Sequence, residues 1–130
     1  MRAAYIDTSL VIGLKFQKPA PATGRLVQRY ELFASELLIA EVLAFGKRES
    51  LPEDLLLEAV RGLSWIIPEG TISREFRRVA DAGYACGADL WHLACACYLS
   101  PNAEELAFLT LDERQRSLAA RVGFHAPRLA

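Results

Sequence analysis

The chain has 130 residues, of which 52% are hydrophobic and 24% are charged, a composition typical of one soluble globular domain. Its formal net charge of −1 excludes the overall basic field of many nucleic-acid-binding proteins, although binding a phosphate needs only local positive charge. The cysteines are odd in number and form no CxxC pair, which excludes a disulfide framework or a zinc site of common spacing. Cys86, Cys95 and Cys97 are therefore expected to be small core residues in a reducing cytosol.

Short apolar runs predict the strands of a sheet. The first run is followed directly by Asp7 and the third by Pro68, so both strands are expected to end there. The predicted strands cover residues 3–6, 32–34, 65–67 and 106–109, and a last strand at 124–126 is left open.

Capping signals separate these runs and predict where helices begin. The signals are Asp7-Thr8-Ser9, Ser35, the capping box Ser50 with Glu53, and the capping box Thr110 with Glu113. The predicted helices follow residues 7–9, cover 23–30, 36–45, 73–84 and 88–99, and run from the two capping boxes to about 61 and to Gly123.

Alternation of short apolar strands with helices predicts an α/β fold of three layers, in which helices cover both faces of a parallel sheet of four or five strands. The sequence contains no repeat, low-complexity tract or linker, so residues 1–130 are predicted to form a single domain. Asp7 interrupts the apolar run after Arg2 before a signal peptide develops. Residues 33–45 are too short to span a bilayer, so a cytoplasmic protein with no membrane partner is expected.

Several acidic residues fall where the ligands of parallel α/β sheets bind, outside the carboxyl ends of the strands. Asp7 directly follows the first strand, and Asp112 follows the fourth after two residues. Asp89 and Asp112 are both expected in the first turn of a helix, where the helix dipole favours a carboxylate. Each of these aspartates, taken alone, is also typical of a simple helix cap.

Glu41 differs from the aspartates because it lies among apolar neighbours within a predicted helix. An ionised carboxylate in an apolar helix needs a partner, and a divalent metal shared with other carboxylates would supply one. The alternatives for Glu41 alone are a residue at the rim of the packed surface or an ion pair with Arg48, seven positions later on the same face. Hard carboxylate oxygens suit Mg²⁺ or Mn²⁺, and such a metal lowers the pKa of bound water in phosphodiester hydrolysis.

In these motifs the sequence resembles the PIN domains, and among them the VapC-type toxins of toxin–antitoxin pairs. The matching segments occur in the family's order across nearly the whole chain: Ile6-Asp7-Thr8-Ser9, Ser35-x-Leu37-x-x-x-Glu41, Ala88-Asp89-Leu90-Trp91-His92-Leu93-Ala94, and Leu109-Thr110-Leu111-Asp112 leading to Ala119-Ala120 and Gly123-Phe124.

This resemblance implies a PIN-like domain that cleaves RNA as a metal-dependent endoribonuclease. It implies that Asp7, Glu41, Asp89 and Asp112 form the catalytic site and hold Mg²⁺ or Mn²⁺. It also implies a homodimer and a small VapB-type antitoxin as a partner.

Neighbouring polar residues leave alternatives open. Glu36 competes with Glu41, although only Glu41 has the family's spacing from Ser35, and Glu113 lies beside Asp112. His92 is expected to be a structural hydrogen-bonding residue near the pocket. The Ser9 and Thr110 hydroxyls either orient a metal-bound water or act as caps, and capping alone is enough to explain them.

Two other functions of α/β domains with an aspartate after the first strand need residues that this sequence lacks. A phosphoaspartate receiver needs a late lysine, and no lysine follows Lys47. An aspartate-nucleophile phosphatase needs a second aspartate two residues after Asp7, where Ser9 stands. The serious alternative is a catalytically inactive PIN-like scaffold or RNA-binding subunit. Against it, four acids at close range would repel one another and raise the free energy of the fold, and a scaffold has no physical reason to carry them.

Overall fold

The computed structural model describes residues 1–129, and its centre is a parallel sheet of four strands. The strands are β1 (Arg2–Ile6), β2 (Tyr30–Ser35), β3 (Ser64–Ile66) and β4 (Ala107–Leu109). They are arranged in the order β3-β2-β1-β4, so β1 pairs with β2 on one side and with β4 on the other. The α/β fold class predicted from the sequence is confirmed.

Seven α-helices within residues 1–129 cover the sheet. They are α1 (Thr8–Phe16), α2 (Pro21–Val27), α3 (Leu37–Arg48), α4 (Glu53–Ala59), α5 (Ser73–Ala82), α6 (Gly87–Leu99) and α7 (Glu113–Val122).

Side chains alternate across the sheet and so divide the core in two. Tyr5 and Phe108 point to the face where buried residues of α5, α6 and α7 pack. Ile6 and Leu109, one position further along the same strands, point to the face covered by α1, α2, α3 and α4. The two clusters form a three-layer α/β/α structure consistent with a PIN-like fold.

Three residues that were predicted to cap helices, Ser35, Ser50 and Thr110, do not occupy the N-cap positions. Ser50 lies outside α4 with a positive φ of 57°, and Pro52 takes the N-cap position instead. Asp112, not Thr110, caps α7, because its carboxylate accepts hydrogen bonds from two amides of the first turn. Ser35 is the last residue of β2, and its hydroxyl binds side chains of the core.

Other boundaries differ by a few residues from the predicted ones. The helix expected over residues 23–30 is α2, which begins at Pro21 because proline fits the first helical position, and it ends at Val27. The helix expected over 73–84 ends at Ala82, and Tyr84 lies in the loop after it. In place of a strand at 124–126, the structure has one bridge between Ala107 and His125.

Cys86, expected in the core, and Ile67, expected in a strand, are both exposed. Cys95 and Cys97 are core residues, as expected, but Cys86 is exposed because it precedes α6 in a loop. Ile67 is 66% exposed since β3 ends at Ile66.

In the described part of the chain, no helix is long and apolar enough to cross a membrane.

Candidate active site

The four acids singled out in the sequence line one pocket with a volume of about 210 Å³. Its other lining residues are Thr8, Ser9 and His92. The pocket lies at the carboxyl end of the sheet, because Asp7 follows β1 and Asp112 follows β4 with two residues between. None of the residues that line it within 1–129 is a lysine or an arginine, so its electrostatic character is acidic.

Asp7 lies deepest among these acids, with only 4% of the residue exposed. It ends β1 and caps α1: its Oδ1 accepts hydrogen bonds from Leu10 N at 3.2 Å and Ser9 Oγ at 2.8 Å. Its Oδ2 accepts one from Thr110 Oγ1 at 2.5 Å. Burial raises the pKa of Asp7 to about 6, since desolvation outweighs these hydrogen bonds and the nearby imidazole.

The hydroxyls of Ser9 and Thr110 connect the ends of β1 and β4. Their oxygens lie 3.1 Å apart, and each also contacts Asp7. Leu111 N donates to Ser9 Oγ at 3.1 Å, and Asp112 N donates to Thr110 Oγ1 at 3.0 Å. Capping is therefore not their role: both residues fix the Asp7 carboxylate and the turn that carries Asp112.

Glu41 reaches the pocket from α3, and its side chain is 32% exposed. Its Oε1 lies 2.6 Å from His92 Nε2 and accepts a hydrogen bond from Thr8 Oγ1 at 2.7 Å. Partial burial raises the pKa of Glu41, but the bonds from His92 and Thr8 oppose it, and the pKa is lowered overall. The suggested pairing with Arg48 is wrong, because Arg48 pairs with Glu49 at 3.2 Å.

His92 joins Glu41 to a buried network that sequence reasoning did not find. The imidazole is 2% exposed, and its Nδ1 lies 2.5 Å from the Tyr5 hydroxyl. Tyr5 donates to Ser35 Oγ at 3.2 Å, and Trp91 Nε1 donates to the same oxygen at 3.1 Å. The expected structural role of His92 fits this geometry. A tyrosine within the otherwise apolar first strand was the available signal, since a buried hydroxyl needs a partner.

Asp89 and Asp112 form the outer side of the pocket. Asp89 is half-buried in the first turn of α6, and its carboxylate has no hydrogen bond within residues 1–129. Asp112 is exposed, and its Oδ1 accepts hydrogen bonds from Arg114 N at 2.9 Å and Gln115 N at 3.3 Å. Asp89 is therefore the acid with the most freedom to bind something else.

The competing acids lie outside the pocket. Glu36 is exposed at the start of α3 and is not among the lining residues. Glu113 binds Arg116 through both carboxylate oxygens, at 2.7 and 2.8 Å, and this partner lowers its pKa. Of Glu36, Glu41 and Glu113, only Glu41 lines the pocket together with Asp7.

Within residues 1–129, no group of three or more His, Cys, Asp or Glu side chains is arranged to hold a metal ion. Three of the four acids, Asp7, Glu41 and Asp112, already form hydrogen bonds with hydroxyls, helix amides or His92.

No protein-family model matches this chain, and no curated protein matches it either.

Proposed function

We propose that the chain is an Mg²⁺- or Mn²⁺-dependent endoribonuclease of the PIN-domain kind. The observation that carries this proposal is the gathering of Asp7, Glu41, Asp89 and Asp112 around one pocket at the carboxyl end of a parallel sheet. This is the place where α/β folds of this type bind their ligands.

The charge balance of the pocket supports a cationic ligand. Four carboxylates share it with one imidazole, and Asp7 is buried with hydroxyl and amide donors but has no cationic partner in hydrogen-bonding contact among residues 1–129. Burial of the Asp7 carboxylate raises the free energy of the folded state unless a bound ligand compensates its charge. A scaffold gains nothing from such a charge, whereas a metal-binding site needs it to hold the cation.

The donor set fits the proposed metal in kind. Carboxylate and hydroxyl oxygens are the hard ligands that Mg²⁺ and Mn²⁺ prefer, and no cysteine is among the described residues that line the pocket. Asp7, Asp89, Asp112 and Glu41 would hold the ion. When bound, it supplies a water of lowered pKa and positive charge for the scissile phosphate.

The chain's own hydrogen bonds position these acids. Ser9 and Thr110 fix the two oxygens of Asp7, so that this carboxylate keeps one orientation. Thr8 and His92 hold Glu41 from two sides. Partners of this kind orient ligands and typically contribute about 10- to 100-fold to metal affinity or activity.

The toxin role, the VapB-type antitoxin and the homodimer belong to the same proposal. Leu43, Leu55 and Leu57 on α3 and α4 are between 37% and 49% exposed, and apolar surface of this kind is typical of an interface. A cytoplasmic location follows from the toxin role. A single species of monomer mass in light scattering at micromolar concentration would contradict the homodimer.

One observation favours the alternative, a catalytically inactive PIN-like scaffold or RNA-binding subunit. Three of the four acids already have protein partners, and no three side chains within 1–129 are arranged around a common ion. This alternative predicts RNA binding without cleavage under any metal.

The test is cleavage of a fluorescent single-stranded RNA by the purified protein with Mg²⁺, Mn²⁺ or excess EDTA. We expect metal-dependent cleavage that Asp7→Asn and Asp89→Asn each reduce about 100-fold or more, with the fold retained. Glu113→Gln is the matched control, because this acid is adjacent to the site but pairs with Arg116. Cleavage that continues undiminished in EDTA would overturn the mechanism.

A further inference from the structure

A second depression of about 220 Å³ adjoins the carboxylate pocket. The two share Asp89 and Asp112, so that they form one continuous groove. The outer part of this groove is lined by a different set of side chains, which are Tyr84, Ala85, Cys86, Arg114 and Gln115. The proposed function assigns no role to any of them.

Tyr84 lines the outer part of this groove, and the residue is 90% exposed. It lies in the short loop between α5, which ends at Ala82, and α6, which begins at Gly87. A large aromatic ring left in water gains nothing for the fold, because it buries almost no apolar surface. Such a ring beside a cleft offers a flat face for a planar ligand.

Gln115 is the opposite case, since it is only 2% exposed. Its Nε2 donates to the backbone oxygen of Asp89 at 3.2 Å, which fixes the orientation of the amide. Its Oε1 is buried and has no hydrogen-bond partner in the described part of the chain. A buried acceptor without a donor is unfavourable, so this atom calls for an N–H or O–H from a bound molecule.

Arg114 adds a positive charge at the rim of the same groove. Its side chain is exposed, and within residues 1–129 its guanidinium forms no ion pair. Arginine is suited to phosphate because its planar fork donates several hydrogen bonds. Next to a pocket of four carboxylates, it provides the local attraction that an anionic chain needs.

We infer that this groove is a nucleobase subsite for single-stranded RNA. One unstacked base lies on the ring of Tyr84 and donates an N–H to Gln115 Oε1, while Arg114 binds an adjoining phosphate. Stacking on an aromatic side chain and hydrogen bonding at the base edge are the usual means by which proteins hold single-stranded RNA. The inference rests on the proposed function for its ligand, and it makes Tyr84 and Gln115 determinants of which nucleotide lies beside the cleaved bond.

The test measures binding without turnover, by fluorescence anisotropy of a single-stranded oligoribonucleotide in EDTA at low salt. We expect Tyr84→Ala to weaken binding about 5- to 100-fold, as loss of one stacked base does. Tyr84→Phe keeps the ring and should stay within about twofold of the wild type. Ile67→Ala, a substitution of another exposed apolar residue outside the groove, should change nothing.

A scan with one abasic nucleotide at each position then locates the base. In the wild type, one position should lose affinity by a similar factor, and in Tyr84→Ala the same abasic position should cause little further loss, because the two changes remove one interaction. Gln115→Leu should weaken binding in the same position-dependent way.

The outcomes separate this subsite from the nuclease proposal. RNA binding that depends on Tyr84, in a protein that cleaves no RNA, would support the subsite and contradict the proposed nuclease activity. Equal affinity of the wild type and Tyr84→Ala would overturn the subsite, even if the wild type cleaves RNA. No RNA binding by the wild type up to about 100 μM, the weak limit of non-specific binding, would also overturn it.

Discussion

Asp7 and Glu41 line the same pocket, yet their surroundings shift their pKa values in opposite directions. Burial raises the pKa of Asp7 to about 6. For Glu41, partial burial is outweighed by His92 and Thr8, and the pKa is lowered. Both residues have a hydroxyl partner, so the hydroxyl is not the cause of the difference.

The difference comes from water and from the imidazole. Glu41 keeps 32% of its side chain exposed and has His92 Nε2 at 2.6 Å, so its charged form is stabilised from two sides. Asp7 is almost completely buried, and within residues 1–129 it accepts hydrogen bonds from hydroxyl and amide donors only. One side of the pocket is therefore stabilised by the protein itself, and the other carries a charge that the protein leaves poorly compensated.

The largest expected effect on stability follows from removing the imidazole of His92, which stabilises the charged form of Glu41. His92→Ala leaves the Tyr5 hydroxyl and Glu41 without their imidazole partner and opens a cavity beside them. We expect the free energy of unfolding to fall by about 3 kcal/mol, measured by urea denaturation at pH 7. His125→Ala is the matched control, because that histidine is exposed, and it should change stability by less than about 0.5 kcal/mol. A loss below about 1 kcal/mol for His92→Ala would contradict the role given to the network.

The second largest effect is expected for Asp7, where neutralising the side chain should increase the free energy of unfolding. An acid whose folded-state pKa is raised binds its proton more tightly in the folded protein, so stability falls as pH rises from about 3.8 to about 6. Asp7→Asn removes this titration. In EDTA we expect this variant to be about 2 kcal/mol more stable than the wild type at pH 8 and to lose most of that advantage at pH 4.

Urea denaturation of both proteins across this pH range checks the prediction. The slope belongs to Asp7 only if Glu36→Gln, which neutralises an exposed acid that forms no ion pair within residues 1–129, follows the wild type to within about 0.5 kcal/mol at every pH. An Asp7→Asn variant that is less stable than the wild type at pH 8 would show that Asp7 acts as an ordinary helix cap.

Glu41→Gln should give the smallest effect. The lowered pKa of Glu41 means that its charged form stabilises the folded state above about pH 4.5, and that this contribution is lost as pH falls through the folded-state pKa. At pH 7 we expect a loss of about 1 kcal/mol, discounted for the partial exposure of the side chain, and a loss that shrinks as pH falls below about 4.5. A gain in stability of Glu41→Gln at pH 7 would show that the protein leaves the charge of Glu41 poorly compensated, as it does for Asp7.

Much of the fold was predictable because its signals are local. Apolar runs located the four strands, and their alternation with helices predicted the parallel sheet. The helix starts were less predictable, since a Ser or Thr near a helix can bind a distant residue instead. Thr110 was predicted to cap α7 but binds Asp7, across more than a hundred residues of sequence.

The candidate site was predictable in its acids but not in their surroundings. Asp7 and Asp112 were found because they follow strands, and Glu41 because a charge among apolar residues is unusual. Whether a given acid is buried, and whether His92 faces it or faces solvent, depends on how α3 and α6 pack on the sheet. The same limit applies to Gln115, because no sequence pattern indicates that its Oε1 is buried without a hydrogen-bond partner in the described part of the chain.

The most direct test of the metal proposal is the melting temperature of the wild type, Asp7→Asn and Asp89→Asn, each with Mn²⁺ and with EDTA. A ligand that prefers the folded state stabilises it by about 2.7 kcal/mol at a hundredfold excess over its Kd. We therefore expect Mn²⁺ to raise the wild-type melting temperature by about 10 °C, and each variant to lose most of that rise while melting no lower than the wild type in EDTA. A wild type that ignores Mn²⁺, together with variants that melt lower in EDTA, would show that the four acids are structural.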